Sequence, residues 1–189
     1  MPAGFRTAPD FIGAAEEARL VDAFADLPFK EFEFHGFLGK RRVVPFGFRS
    51  DYSGGGLGGG LKEAAPIPQF LLPLRSRAAA FAELAPERLV QALVTEYRPG
   101  AAIGWHRDRP YYADVIGVSL VSPCTFRLRK KRETSSDGNS SGSKFWDRAA
   151  MVLARRSIYL MRGAVREVWE HSIPAVDALR YSVTFRALR

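Results

Sequence analysis

The sequence predicts a mainly β protein in which two helices near the N-terminus pack outside a β-sandwich or jelly roll. Three observations carry that reading. Apolar residues recur at helical spacing in two stretches, Ala14 to Leu27 and Leu74 to Leu84, whereas from Ala92 onward short segments with strand character are separated by turn signals. A length of 189 residues with 47% hydrophobic residues is one domain's worth of chain with ample core material. The charged fraction is an ordinary 25% and fourteen Phe are spread along the chain, which excludes collagen-like, coiled-coil and disordered classes.

Taken in order, Leu20, Val21, Phe24 and Leu27 place one apolar stripe on the first helix, with Glu16, Glu17 and Asp22 on other faces. From Lys30 the period becomes two, Phe32 and Phe34 alternating with Glu31, Glu33 and His35, and Gly36-Phe37-Leu38-Gly39 reads as a hairpin turn. A second strand is expected from Arg42-Val43-Val44, with Phe46, Phe48 and Tyr52 following before six glycines in the seven positions 54–60. Such a run cannot hold a regular element. Pro66, Pro68 and Pro73 punctuate a connection, the Ala-rich segment to Leu84 forms the second helix, and Pro86 ends it. Strands are then expected at Ala92–Tyr97, Val115–Val121, Thr125–Arg129, Met151–Leu153, Ser157–Met161, Val165–Trp169 and Tyr181–Leu188. The Ser/Gly-rich tract 134–143 is a flexible loop within a hairpin. The chain shows no internal repeat or domain boundary, so residues 1–189 are read as a single domain with a substrate lid at about 30–62.

Cys124 is the one cysteine, so no internal disulfide, structural zinc cluster or redox pair is available. No apolar run approaches the eighteen or so residues of a membrane span and the N-terminus lacks a secretory pattern, so a soluble cytoplasmic protein is expected. The formal net charge of +8 makes polyanions the natural partners.

The chemistry rests on few residues. His106 and Asp108 stand two apart in Trp105-His106-Arg107-Asp108, which puts both side chains on one face of an extended backbone. With His171 they form the two-imidazole, one-carboxylate set of non-haem iron oxygenases, although His-x-Asp also arises by chance. In the last strand Tyr181, Val183 and Phe185 make an apolar face, and Arg180, Ser182, Thr184 and Arg186 a polar one. If that polar face lines a pocket, two arginines meet a dianion; otherwise it is a wet sheet face.

These segments resemble the AlkB-like Fe(II)- and 2-oxoglutarate-dependent dioxygenases. The resemblance runs from about Lys40 onward, through Thr95-Glu96-Tyr97-Arg98-Pro99-Gly100, Ile103 to Asp108, Trp169-Glu170-His171-Ser172 and Arg180 to Arg186. It implies a double-stranded β-helix, the jelly-roll core of that family, with N-terminal elements as a lid. It further implies Fe(II) held by His106, Asp108 and His171, with 2-oxoglutarate and O2 as co-reactants. Arg180 and Tyr97 match residues that hold the cosubstrate and Arg186 the second arginine of that strand, while Thr95 stands where members often have Asn and Ser182 where some do, each still able to donate a hydrogen bond to the cosubstrate. The implied reaction is oxidative dealkylation of N-alkylated bases in nucleic acid, a DNA-repair chemistry that releases aldehyde, succinate and CO2. Pro110 replaces an acidic residue that nucleobase-demethylating members carry two positions after the aspartate.

Around that core, Lys40, Arg41, Arg42 and Arg49 interleave with Phe46, Phe48 and Tyr52, a combination suited to phosphates and stacked bases. The same aromatics also serve as packing of a hairpin. Arg127 to Arg132 holds five cations in six positions, a backbone grip or a solvated hairpin end. Trp105 and Trp169 are expected to pack around the metal site, Cys124 to pack as a small apolar group, and His35 to be a surface residue. The competing readings are the same iron chemistry on a protein or small molecule, which Pro110 favours, and a nucleic-acid-binding module without turnover, which the +8 charge allows.

Overall fold

The computed structural model describes residues 1–34, 37–50, 60–132 and 145–189. His35, Tyr52, most of the glycine run and the Ser/Gly tract 134–143 therefore lie outside the described residues. Thirteen strands among the described residues are β1 (Phe5–Ala8), β2 (Lys30–Phe34), β3 (Phe37–Phe46), β4 (Phe48–Ser50), β5 (Leu61–Glu63), β6 (Leu89–Tyr97), β7 (Ile103–His106), β8 (Tyr112–Leu120), β9 (Cys124–Lys131), β10 (Trp146–Leu153), β11 (Ile158–Met161), β12 (Glu170–Ile173) and β13 (Arg180–Leu188). The helices are α1 (Ala14–Phe24), α2 (Leu72–Phe81) and the single turn α3 (Ala164–Glu167).

The strands form a jelly roll. A major antiparallel sheet runs β1-β11-β8-β13-β6-β3-β2 and a minor sheet runs β10-β9-β12-β7, with β4 and β5 paired separately. Two cores result. Leu20 and Phe24 of α1 and Leu74, Ala78 and Ala79 of α2 cover the outer face of the major sheet, meeting Val94, Val118, Val183 and Phe185. Between the sheets lie Tyr97, Val115, Cys124, Phe126, Leu128, Tyr159, Met161 and Ile173. The strict period of β13 explains why one strand serves both cores, since Val183 and Phe185 turn to the helices while Arg180, Ser182, Thr184 and Arg186 turn between the sheets.

The structure departs from the sequence expectations locally. The predicted strand Val165–Trp169 is instead the turn α3, entered through Gly163 at φ +58. Val165, Val168 and Trp169 sit at i, i+3 and i+4, a helical spacing rather than an alternation. The strand expected from Arg42 already begins at Phe37, inside the stretch read as a turn. It stops at Gly47, whose φ of +74 and 2.0 Å approach of a built Cβ to the Val90 carbonyl oxygen admit no side chain. Pro86 opens a short 3-10 turn rather than only ending α2.

Candidate active site

The minor sheet supplies two imidazoles. β12 pairs antiparallel with β7 so that His171 stands directly opposite His106, and both rings project inward with centroids 4.2 Å apart. Asp108 follows just beyond β7, its Oδ2 lying 3.9 Å from His171 Nε2. Phe126 stacks on the other side of the His171 ring at 5.4 Å. His106 Nδ1 lies 2.9 Å from the Gly104 carbonyl oxygen; the tautomer that donates there leaves the Nε2 lone pair free.

Electrostatics fit this trio to a cation. Burial, and then the neighbouring His106, push His171 down to about 3, so the imidazole is neutral. Burial likewise lowers His106. Burial would raise Asp108, but the Arg186 guanidinium and the imidazoles outweigh it and hold the carboxyl well below the usual carboxylate range. Neutral imidazole and ionised carboxylate are the ligand forms of these groups. Asp108 Oδ1 accepts from Arg186 at 3.1 Å, whereas its buried Oδ2 has no hydrogen-bond partner. A buried carboxylate oxygen facing two lone-pair donors is uncompensated until a positive charge arrives. The three groups are adjacent without being closed up: among the described residues no three His, Cys, Asp or Glu side chains form a finished metal-binding group.

The major sheet supplies an anion slot. Arg180 of β13 pairs with Tyr97 of β6, and Ser182 pairs with Thr95 on one side and Ser119 of β8 on the other. Arg180 is 1% exposed, its Nε donates to Ser119 Oγ at 3.2 Å, and its guanidinium carbon lies 4.7 Å from the Tyr97 ring centre. Its Nη1 is buried without a hydrogen-bond partner, and no carboxylate pairs with it among the described residues. Arg186, six residues along the same face and so about 20 Å away at the backbone, is bound to Asp108 and to Gln91.

A pocket open to solvent continues from Asp108 and Arg186 to strands β2 to β4. Its walls include Gln91, Leu93, Val43 and Pro45, and its rim Phe32, Glu31, Arg49 and Arg109. Tyr111 donates to Ser50 Oγ at 2.8 Å and ties β4 to the loop after Asp108. Arg41 reaches this side, its guanidinium 3.9 Å from the Phe32 ring centre and its charge felt by His106. Phe48 is half-buried in β4, and its carbonyl accepts from Gln91 at 2.7 Å.

Two β3 residues singled out in the sequence as substrate contacts face elsewhere. Alternation in β3 turns Val43 and Pro45 to the pocket and Arg42 and Phe46 to the helix layer, where Arg42 grips Glu96 at 2.7 and 2.8 Å and Phe46 joins the outer core. Trp105, expected beside the metal site, projects to the outer face because its neighbour His106 projects inward. Trp169 borders the inner core, and Cys124 is buried there. Pro110 is exposed; among the described residues the pocket's carboxylate besides Asp108 is Glu31, on the opposite rim.

Several site residues were not anticipated. Ser119 holds Arg180, and Arg166, 4% exposed, donates to the carbonyls of Arg109 and Tyr112 and so pins the loop behind Asp108. Tyr159 of β11 crosses its neighbour β8 at Gly117, where a built Cβ would lie 2.3 Å from the ring and 2.5 Å from the hydroxyl oxygen. The ring thereby heads for Thr184, which flanks Gly117 on β13. Its phenol is pushed up, chiefly by burial and then by Tyr97 and Asp108. A lone glycine inside the apolar run Val115-Ile116-Gly117-Val118 was the available signal, since it marks a close approach.

Residues 58–186 match the family model of the 2OG-Fe(II) oxygenase superfamily. A curated relative from Arabidopsis thaliana, named alkylated DNA repair protein ALKBH8 homolog, is 28% identical over 96% of this chain. The match spans 54% of that protein's length. An uncharacterised protein, L905 of Acanthamoeba polyphaga mimivirus, is 30% identical over 44% of the chain and 36% of its own length. Among solved structures, OsALKBH1 superposes with a TM-score of 0.68 at 13% identity, covering 99% of this chain and 98% of that one. An oxidoreductase of the 2OG-Fe(II) oxygenase family from Burkholderia pseudomallei superposes at 0.62 with 16% identity, covering 98% of this chain and 85% of its own.

Proposed function

The chain belongs to the 2OG-Fe(II) oxygenase superfamily, and on that premise we propose that it is an Fe(II)- and 2-oxoglutarate-dependent dioxygenase that removes N-alkyl groups from bases in nucleic acid. The observation that carries the reading is Arg180. A buried guanidinium with an unused donor and no carboxylate partner among the described residues, on a face shared with Asp108-bound Arg186, awaits an anionic ligand.

In this reading His106, Asp108 and His171 hold the iron. Bound iron, with 2-oxoglutarate and O2, supplies the oxidising power that hydroxylates the substrate's N-alkyl carbon and ends in aldehyde, succinate and CO2. The remaining work belongs to side chains of this chain. Arg180 takes the far carboxylate of 2-oxoglutarate, with Tyr97, Thr95, Ser119 and Ser182 presenting hydroxyls along the same two strand pairs. Arg186 fixes the Asp108 carboxylate through Oδ1 and leaves Oδ2 for the metal. Phe126 fixes the plane of His171, and the apolar layer around it excludes water. The alkylated base would enter past Phe32 and Arg49, with Glu31 at the rim offering an acceptor for a base made cationic by alkylation. The net charge of +8 and the DNA-repair name of the Arabidopsis relative support the substrate class.

The test is succinate release with Fe(II), 2-oxoglutarate and ascorbate, with single- and double-stranded DNA and RNA carrying N-methylated bases. The reading expects one of these to accelerate turnover and lose its methyl group by mass spectrometry. Succinate formation indifferent to every oligonucleotide would keep the iron chemistry and remove nucleic acid as its substrate.

A further inference from the structure

We propose that the outer face of the minor sheet is a second nucleic-acid contact that grips phosphate backbone on the side of the sheet opposite the catalytic histidines. The proposal rests on the reading above for the class of partner only.

Strand alternation builds this face. On β9, Phe126 and Leu128 turn to the inner core, so Arg127, Arg129 and Lys131 turn outward at intervals of about 6.6 Å, two residues of extended chain each. On β10, Arg148 stands directly opposite Arg129, and Trp146 opposite Lys131. Trp105 of β7 completes the row. The Arg129 guanidinium is sandwiched between Trp105 and Trp146, 4.4 and 4.3 Å from their ring centres, and Arg127 lies 5.1 Å from Trp105. A shallow groove lined by Ala150 and Trp105 runs between Arg127 and Arg148.

The charges are in excess of what the fold uses. Glu170 pairs with Arg129 at 2.6 Å, and Asp147 serves Arg132 at 2.6 Å and Lys130 at 3.9 Å. Arg127, Lys131 and Arg148 have no carboxylate partner among the described residues; Arg127 Nε donates only to the Ser172 hydroxyl. Like charges set opposite each other on a sheet are destabilising, so a row of them on an open face points to an anion rather than to folding. The partner must present repeated negative charge along a line and tolerate flat rings beside it. A nucleic-acid strand does both, with phosphates for the cations and sugars and bases for the groove and the tryptophans. A lipid surface would call for an inserting apolar patch, and among described residues the large exposed hydrophobic on these strands is Val152 alone.

Anisotropy titration of a labelled, unmethylated single-stranded oligonucleotide over a series of salt concentrations tests this without any alkyl group to remove. Arg148→Glu is expected to weaken binding about tenfold at low salt and to reduce the slope of log K against log salt by about one. Arg19→Glu, on exposed α1 across the molecule, changes net charge equally and should weaken binding less than about twofold. Arg148→Gln, with a melting temperature matching the parent chain, should fall between the two and guards against misfolding. Equal losses for Arg148→Glu and Arg19→Glu, an unchanged salt slope, or an affinity for anionic-lipid vesicles that equals that for the oligonucleotide and falls with it in Arg148→Glu, would each overturn the proposal. Binding that behaves as expected in a chain that dealkylates no oligonucleotide would retain this surface and discard the dealkylase.

Discussion

The two sheets share an antiparallel pleat and differ in what covers them. The outer face of the major sheet lies under α1 and α2 and is apolar, Val94, Val118, Val183 and Phe185 all being fully buried. The outer face of the minor sheet has Arg127, Arg129, Arg148 and two tryptophans, and its Val152 is 63% exposed. Inward the contrast is of charge. The major sheet offers a buried guanidinium with hydroxyls, the minor sheet neutral imidazoles, and Arg186 on Asp108 links them. The jelly roll thus sets the guanidinium and the imidazoles on facing sheets across one shared inner core.

The largest effect breaks the cation-holding half alone. His171→Ala is expected to cost more than about 100-fold in succinate release, because even outer partners of metal ligands cost about 10–100-fold. The melting temperature should stay near that of the parent, since the lost ring is neutral and makes no side-chain hydrogen bond among the described residues. Turnover that persists would mean the metal sits elsewhere. On the other sheet, Arg180→Met should weaken 2-oxoglutarate binding, followed by calorimetry, at least about 30-fold, a little over 2 kcal/mol, as for truncating one partner of a buried charge pair. The ligand-free protein should melt no lower, because replacing an uncompensated buried charge by an apolar group is neutral or stabilising. A clear drop in the melting temperature would show that Arg180 holds the fold rather than a ligand.

How much of this was legible depends on whether the partner was near in sequence. His106, Asp108 and the two faces of β13 could be read because period two fixes which side chains share a face. Fold class followed from the same patterning. What could not be read was register. Nothing local tells that Ser182 sits between Thr95 and Ser119, that Arg166 reaches back to the loop after Asp108, or that Arg42 belongs to Glu96 and not to a substrate. Val165–Trp169 failed for a different reason, since a few apolar residues after Gly163 fit a helical turn as well as a strand.

Gly117 tests the packing within the major sheet, where Tyr159 crosses it. Gly117→Ala places a methyl where the Tyr159 ring lies, and overpacking of this kind costs about 1–3 kcal/mol in chemical denaturation. Tyr159→Val in the same chain should recover much of that loss, so the two substitutions couple strongly in a double-mutant cycle. Additive costs would show that the ring does not need the glycine.

The smallest effect tests the covering directly, with one substitution made twice. Val→Thr keeps shape and strand preference and exchanges one methyl for a hydroxyl, so its cost reports the surroundings. Under the helices, Val183→Thr buries that hydroxyl among Phe24, Leu74 and Phe185 and should cost about 1–3 kcal/mol, the penalty of an unpaired buried polar group. On the minor sheet, Val152→Thr leaves its hydroxyl in water and should stay within about 0.5 kcal/mol. Denaturant midpoints of the two variants at equal m measure the difference. A cost for Val152→Thr as large as that for Val183→Thr would mean that the outer face of the minor sheet is already covered within this chain, and a face so covered has no room for a nucleic-acid strand.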